Sequence, residues 1–265
     1  FIVMNHENYP LFTRLLAQLG VALRDSDMSF SYCDVVSGLQ YSGSGFNGVF
    51  AQRRNLVRPA FLGMIRDIIR FYRDAERDLA QGRLQGLTMA AYLEEGRYGR
   101  MFTHHLLGPI GAAIWSMPDA EILNFPASSF VSFFRNHGLL KLSDRPQWRT
   151  VVGGSHAYVR RILDDFGGEV HLDSGVTAIS RRQGRVHLRV AEEGEQTFDH
   201  VVVAAHADDA LALLQDPSDD ERRLLGAWRY HANDTVLHAD ETVMPPQRRA
   251  WASWNYLRHR TSDNR

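Results

Sequence analysis

The chain has 265 residues, of which 44% are hydrophobic and 23% charged, enough apolar material for one large or two modest cores. Thirty Lys and Arg stand against 31 Asp and Glu, a formal net charge of -1 that removes any bulk electrostatic pull toward nucleic acid or acidic lipid. The single Cys33 excludes an internal disulfide framework and fits a reducing, cytoplasmic location, and no apolar run approaches the roughly 18 residues of a transmembrane helix.

Leu11, Leu15, Leu16 and Leu19 recur at helical spacing and stop at Gly20, which predicts a short helix over residues 9–19. Residues 28–36 and 39–43, rich in aromatic and β-branched side chains on either side of Ser37-Gly38, predict a hairpin. The clearest helix starts at Pro59. Phe61, Met64, Ile65, Ile68, Phe71, Tyr72, Ala75 and Leu79 form its inner stripe, Arg66, Asp67, Arg70, Arg73, Asp74 and Arg77 its outer face, and Gly82 ends it. Residues 88–137 read as helices broken at Gly96, Pro109, Pro118 and Pro126.

A polar, turn-forming stretch over 143–149 is expected to cross between domains, and beyond it the pattern becomes α/β. Gly153-Gly154-Ser155 leads into a helix with Val159, Ile162, Leu163 and Phe166 facing inward, followed by strands over 169–172, 176–180, 185–190 and 200–205. Val201-Val202-Val203-Ala204-Ala205 is a continuous apolar run, the pattern of a parallel strand covered on both faces. A helix over 208–215 comes next, Ser218-Asp219-Asp220-Glu221 is a capping box for another, and strands over 235–239 and 250–256 close the chain.

Gly43-Ser44-Gly45-Phe46-Asn47-Gly48 matches the G-x-G-x-x-G spacing that lets a backbone hug a pyrophosphate. It lacks the setting, since a polar hairpin precedes it and no apolar helix or βαβ unit follows, so a glycine-rich loop is expected. The twelve histidines form no helical H-x-x-x-H pair, and the adjacent His104 and His105 diverge by about 100° on a helix, so no metal site is expected. Ser155 reads as a helix N-cap rather than a nucleophile, because no G-x-S-x-G turn surrounds a serine. Arg53, Arg54 and Arg58 form either a solvated face or an anion site, and Trp251, Trp254 and Tyr256 either pack a sheet or line a pocket.

Three segments carry a family resemblance: Arg149-Thr150-Val151-Val152-Gly153-Gly154-Ser155, Ser174-Gly175-Val176-Thr177-Ala178-Ile179, and Asp199-His200-Val201-Val202-Val203-Ala204-Ala205-His206. In this order they resemble the flavin-containing amine oxidase and phytoene desaturase superfamily. Phe50–Leu56, Ala113–Ser116, Asn136–Leu140 and Asp144–Arg149 are similar to a bacterial branch of predicted FAD-dependent amine-oxidase-like proteins, so the likeness covers nearly the whole chain.

The resemblance implies FAD as cofactor and an α/β, mixed α+β fold, part of a split Rossmann-like FAD domain over 146–226 and a substrate domain over 1–145 and 227–265. It implies that Val176 contacts adenine through its main chain, that Gly153 and Gly154 allow close approach to the flavin, and that Ala204 and Ala205 leave room for the cofactor. Amine oxidases often place a lysine near the flavin where His238 stands here, which makes His238 the candidate catalytic residue and leaves desaturation or isomerisation of a lipid or polyene open beside amine oxidation. Neither the family's N-terminal glycine fingerprint nor its ribose-binding acid is found, and the chain opens at Phe1, so an internal piece of a longer oxidoreductase is expected. Its substrate is expected to be a small molecule or lipid, with a non-catalytic lipid-associated or partner-binding module as the alternative.

Overall fold

In the computed structural model, which describes residues 2–141, 145–230 and 232–259, the first elements are α1 (Pro10–Gln18) and β1 (Leu23–Asp25). They are followed by the hairpin strands β2 (Phe30–Asp34) and β3 (Gln40–Ser42). The hairpin turn is built by Asp34, whose carboxylate accepts from Val36 N at 2.9 Å and Ser37 Oγ at 2.7 Å, while Gly38 takes the left-handed φ of +69°. A five-residue α2 (Gly45–Val49) leads to the long α3 (Pro59–Ala80), which begins at proline and stops before Gly82, at φ +71°, as its sequence predicts. Asp67 departs from the expected outer face. It is buried, accepts a hydrogen bond from Gly99 N at 2.8 Å and lies 3.3 Å from the Arg70 guanidinium. Its neighbour on the stripe, Asp78, receives the Tyr92 hydroxyl at 3.0 Å.

Next come α4 (Met89–Glu95), capped by Thr88 Oγ1, then α5 (Arg100–Phe102), one π-helical turn (Thr103–Leu107) and α6 (Gly108–Trp115). Pro109 therefore does not break the chain as expected. It cannot supply the N–H that a regular helix would direct at the His105 carbonyl, and Tyr41 donates its hydroxyl to that carbonyl instead, at 2.6 Å. Helices α7 (Asp119–Ile122) and α8 (Ala127–Asn136) complete this part, with Trp115 packed on Phe125 and Phe133, each at 4.9 Å between ring centroids. Strand β4 (Arg149–Val151) pairs antiparallel with β1, and α9 (His156–Asp165) follows. Val159, Ile162 and Leu163 of α9, expected inward, are exposed, as is Phe166 just beyond it.

A three-stranded antiparallel meander comes next: β5 (Val176–Arg182), β6 (Arg185–Val190) and β7 (Gly194–Phe198), then α10 (Ala207–Leu213) and α11 (Asp219–Leu225). The capping box forms as read, with Glu221 N to Ser218 Oγ at 3.2 Å and Ser218 N to Glu221 Oε2 at 2.7 Å. Residues 169–172 form no strand, and neither do 200–205, where Val202 is 92% exposed. No strand among the described residues pairs with that apolar run, so the parallel ladder it calls for is absent. The final strand β8 (Trp254–Arg258) lies parallel to β2 and gives the order β3-β2-β8, whereas residues 235–239 are irregular and exposed rather than a strand.

The chain divides into two compact units, the described residues of Phe1–Asp165 with Thr235–Arg265, and those of Phe166–Asp234. Part of the expected crossing at 143–149 lies outside the described residues. Among the described residues no helix is long and apolar enough to cross a membrane.

In the second unit Arg181 joins the meander to α11 by pairing with Glu221 at 2.7 Å and Asp216 at 3.2 Å. The Arg181 hydrogen bond, followed by the Ser218 amide, holds the Glu221 carboxyl down at about 2 from an ordinary 4.5. Because the folded-state value is depressed, the tie is fully present above about pH 4.5 and is lost as pH falls through 2. Amide exchange in α11 should therefore accelerate across that window before exchange in α3 does, and Glu221→Gln should remove the pH dependence.

Candidate functional site

One isolated bridge and one short ladder gather residues from distant parts of the first unit around one cavity. Reciprocal backbone bonds between Met4 and Arg149, at 2.8 and 2.7 Å, hold Ile2 and Val3 beside Trp148. The β2–β8 ladder pairs Phe30 with Trp254, and Trp254 N donates to Ser29 O at 3.0 Å, which holds Trp254 near Met28. Helix α6 contributes Ile114, α8 contributes Phe133, and His137 stands at the C-cap of α8. The open pocket so formed has a volume of about 250 Å³, close to the lower end of the roughly 300–1,000 Å³ typical of ligand pockets.

The hydrogen-bonded polar pair of this cavity is Tyr9 and His137, beside the indole N–H groups of Trp148 and Trp254. His137 Nδ1 lies 2.8 Å from the Phe133 carbonyl, which can only accept, so Nδ1 carries the ring proton and Nε2 is left to accept the Tyr9 hydroxyl at 3.3 Å. Stacking on Phe133 at 3.9 Å fixes the imidazole plane. Burial pushes the Tyr9 phenol upward, so it remains a neutral donor through the physiological range. No Asp, Glu, Lys or Arg lines the cavity, so the site suits an apolar molecule with one polar group at most near Tyr9.

The residues anticipated from sequence are distributed between the units. Gly153 and Gly154 sit in the first, at φ +81° and +76°, in an exposed turn before α9, and a Cβ added to Gly154 would meet nothing within 4 Å. His238, also in the first, is exposed on an irregular segment, with Nδ1 accepting from Asp240 N at 3.1 Å. In the second unit Val176 opens β5 opposite Val190, with the ladder register slipping between Val176 and Ala178, while Ala204 and Ala205 are exposed on an irregular segment. Gly43–Gly48 has no phosphate-binding geometry: β3 before it pairs antiparallel, and the Ser42 side chain fills the space beside Gly48. The arginines near it tie down loops, Arg53 to Asn47 Oδ1 at 2.6 Å and Arg54 to Gly38 O at 3.3 Å. Trp251 packs through its indole N–H on Pro245 O at 2.7 Å.

Sequence reasoning missed Tyr9, His137 and Trp148. Asn136-His137-Gly138 marked a helix end and Trp148 a domain crossing, and no local spacing joins three positions that only tertiary pairing unites.

A family model described as "Flavin containing amine oxidoreductase" matches residues 2–247. No curated protein matches the chain by sequence. Among solved structures, putrescine oxidase bound to putrescine is similar at 14% identity and a TM-score of 0.60, over 85% of this chain and 51% of that one. Cyclohexylamine oxidase from Brevibacterium oxydans IH-35A is similar at 15% identity and a TM-score of 0.56, over the same shares of 85% and 51%. The chain thus spans about half the length of the structures it matches.

Proposed function

Because the chain belongs to the flavin containing amine oxidoreductase family, we propose that it supplies the substrate-binding part of an FAD-dependent oxidoreductase that takes a hydride from an apolar small molecule. The observation that carries this reading is the cavity lined by Trp148 and Trp254, with no charged side chain in its lining and the Tyr9–His137 pair at its wall. A diamine such as the ligand of the putrescine oxidase structure keeps a second, non-reacting ammonium that would need a carboxylate partner, and none lines this cavity. Apolar monoamines, polyenes and unsaturated acyl chains are therefore the substrate classes proposed, the last two by desaturation or isomerisation.

Each unit, taken by itself, offers residues suited to contact with FAD. The paired positive-φ glycines, with open space at Gly154, admit close approach of a ligand to the backbone. In the second unit we assign Val176, at the β5 register slip, to main-chain contact with adenine, and Ala204 and Ala205 present only methyl side chains to the cofactor. When bound, FAD supplies the hydride acceptor. The chain's own task is to desolvate the substrate between the tryptophans and orient its polar atom on Tyr9, whose 3.3 Å bond to His137 is long and readily exchanged. His238 is assigned a role at the flavin on the strength of its sequence position alone. The buried free thiol of Cys33 supports a reducing, cytoplasmic setting.

The test is anaerobic mixing of the native-length, FAD-loaded protein with monoamines, polyenes and unsaturated acyl chains. Bleaching of the flavin by an apolar member is expected. A protein that takes up no FAD, or is reduced by none of them, would defeat the proposal.

A further inference from the structure

A second cavity in the first unit, about 750 Å³, is lined by Arg100, His104, His105, Asp119 and Arg258. It shares no lining residue with the apolar cavity. The two meet the same strand: Trp254 and Arg258 are four residues apart on β8, about 13 Å along it at a strand's rise. The π-helical turn Thr103–Leu107 carries both histidines, and the cavity takes them together although adjacent residues of a regular helix diverge.

The lining is cationic by composition, with two guanidinium groups and two imidazoles against one carboxylate. Asp119 is committed to Arg258, and Arg258 also lies over the Tyr32 ring at 5.6 Å. Arg100 makes no ion pair among the described residues. His105 Nδ1 is 2.8 Å from the Tyr32 hydroxyl; with that hydroxyl donating, the ring proton sits on Nε2 and is a further donor. A cavity holding an unpaired guanidinium, a second one whose partner can exchange, and two imidazole donors matches the flat, multi-oxygen geometry of carboxylate and phosphoryl groups.

We propose that this cavity is a binding site for a small oxyanion, a carboxylate or phosphoryl group gripped by Arg100 and Arg258 with His104 and His105 as further donors. Asp119 is the internal competitor that holds Arg258 until the ligand arrives. Burial, then Arg258, holds His105 below the ordinary histidine value, and burial, then Arg100 and Arg258, does the same for His104. His104 and then Arg58 add to this at His105, while Asp34 at His105 and Asp119 at His104 act in the opposite direction. A bound oxyanion raises both histidines, and by linkage its affinity rises as pH falls through their titration.

The experiment is a titration of the 265-residue chain with inorganic phosphate and, separately, with acetate, followed by the ring resonances of its twelve histidines. His104→Gln and His105→Gln assign the two signals. Saturable shifts at those two histidines are expected, and the tighter probe identifies the phosphoryl or carboxylate class. Arg100→Ala, at an exposed position that leaves the core intact, should weaken binding at least tenfold, and Asp119→Asn should tighten it severalfold by freeing Arg258. Non-saturating shifts spread over many histidines, an Arg100→Ala affinity equal to wild type, or weaker binding by a folded Asp119→Asn chain would each overturn the site.

Discussion

Phe71→Ala is expected to destabilise the first unit by about 3–5 kcal/mol, the range for removing a fully buried aromatic ring. Phe71 has no exposed surface, and its ring lies 5.3 Å from Phe102, 5.8 Å from Tyr98 and 6.3 Å from Tyr92. The last two belong to the segment that receives the buried Asp67 and Asp78, so a cavity here also loosens the hydrogen bonds at Gly99 N and the Tyr92 hydroxyl. Urea unfolding should register the loss as a lower midpoint at unchanged slope. A change below about 1 kcal/mol would mean that the site collapses freely and that the aromatic cluster is not the centre of the core.

Met28→Lys is expected to lower kcat/KM for an apolar substrate at least tenfold, mostly through KM, with little change in folding stability. Met28 is half-buried at the wall of the apolar cavity and stands outside the main core cluster. A lysine there must either lose hydration when the substrate enters or swing out and leave a gap, and a loss of about 1.4 kcal/mol in binding is already tenfold. The same substitution should halve no more than marginally the rate at saturating substrate, because it touches neither Tyr9 nor His137. Steady-state kinetics on the FAD-loaded protein, with thermal melting as the control for folding, separates the two effects. An unchanged KM would move the substrate elsewhere.

Much of the first unit was legible in the sequence because its signals are local. Pro59 and Gly82 bracket α3, Asp34 and Gly38 build the hairpin turn, and in the second unit Ser218 with Glu221 caps α11 in the same local way. The failures share a different cause. Val201–Ala205, residues 235–239 and the apolar face of α9 all carry the composition of buried elements, yet burial and ladder pairing require a partner, and no described residue supplies it. Composition states what an element needs and not whether the chain provides it. The substrate cavity was illegible for the converse reason. Ile2, Tyr9, Met28, His137, Trp148 and Trp254 are individually ordinary core or turn residues, and tertiary contacts such as the Met4–Arg149 bridge, the β2–β8 ladder and the Tyr9–His137 hydrogen bond make them neighbours.

The most direct measurement is the anaerobic rate of flavin reduction in the native-length, FAD-loaded protein, with an apolar monoamine or unsaturated acyl chain compared against putrescine at equal concentration. A cavity without a carboxylate predicts reduction by an apolar compound at least ten times faster than by the diamine, a preference of about 1.4 kcal/mol or more. Equal or faster reduction by putrescine would contradict an apolar substrate site between Trp148 and Trp254.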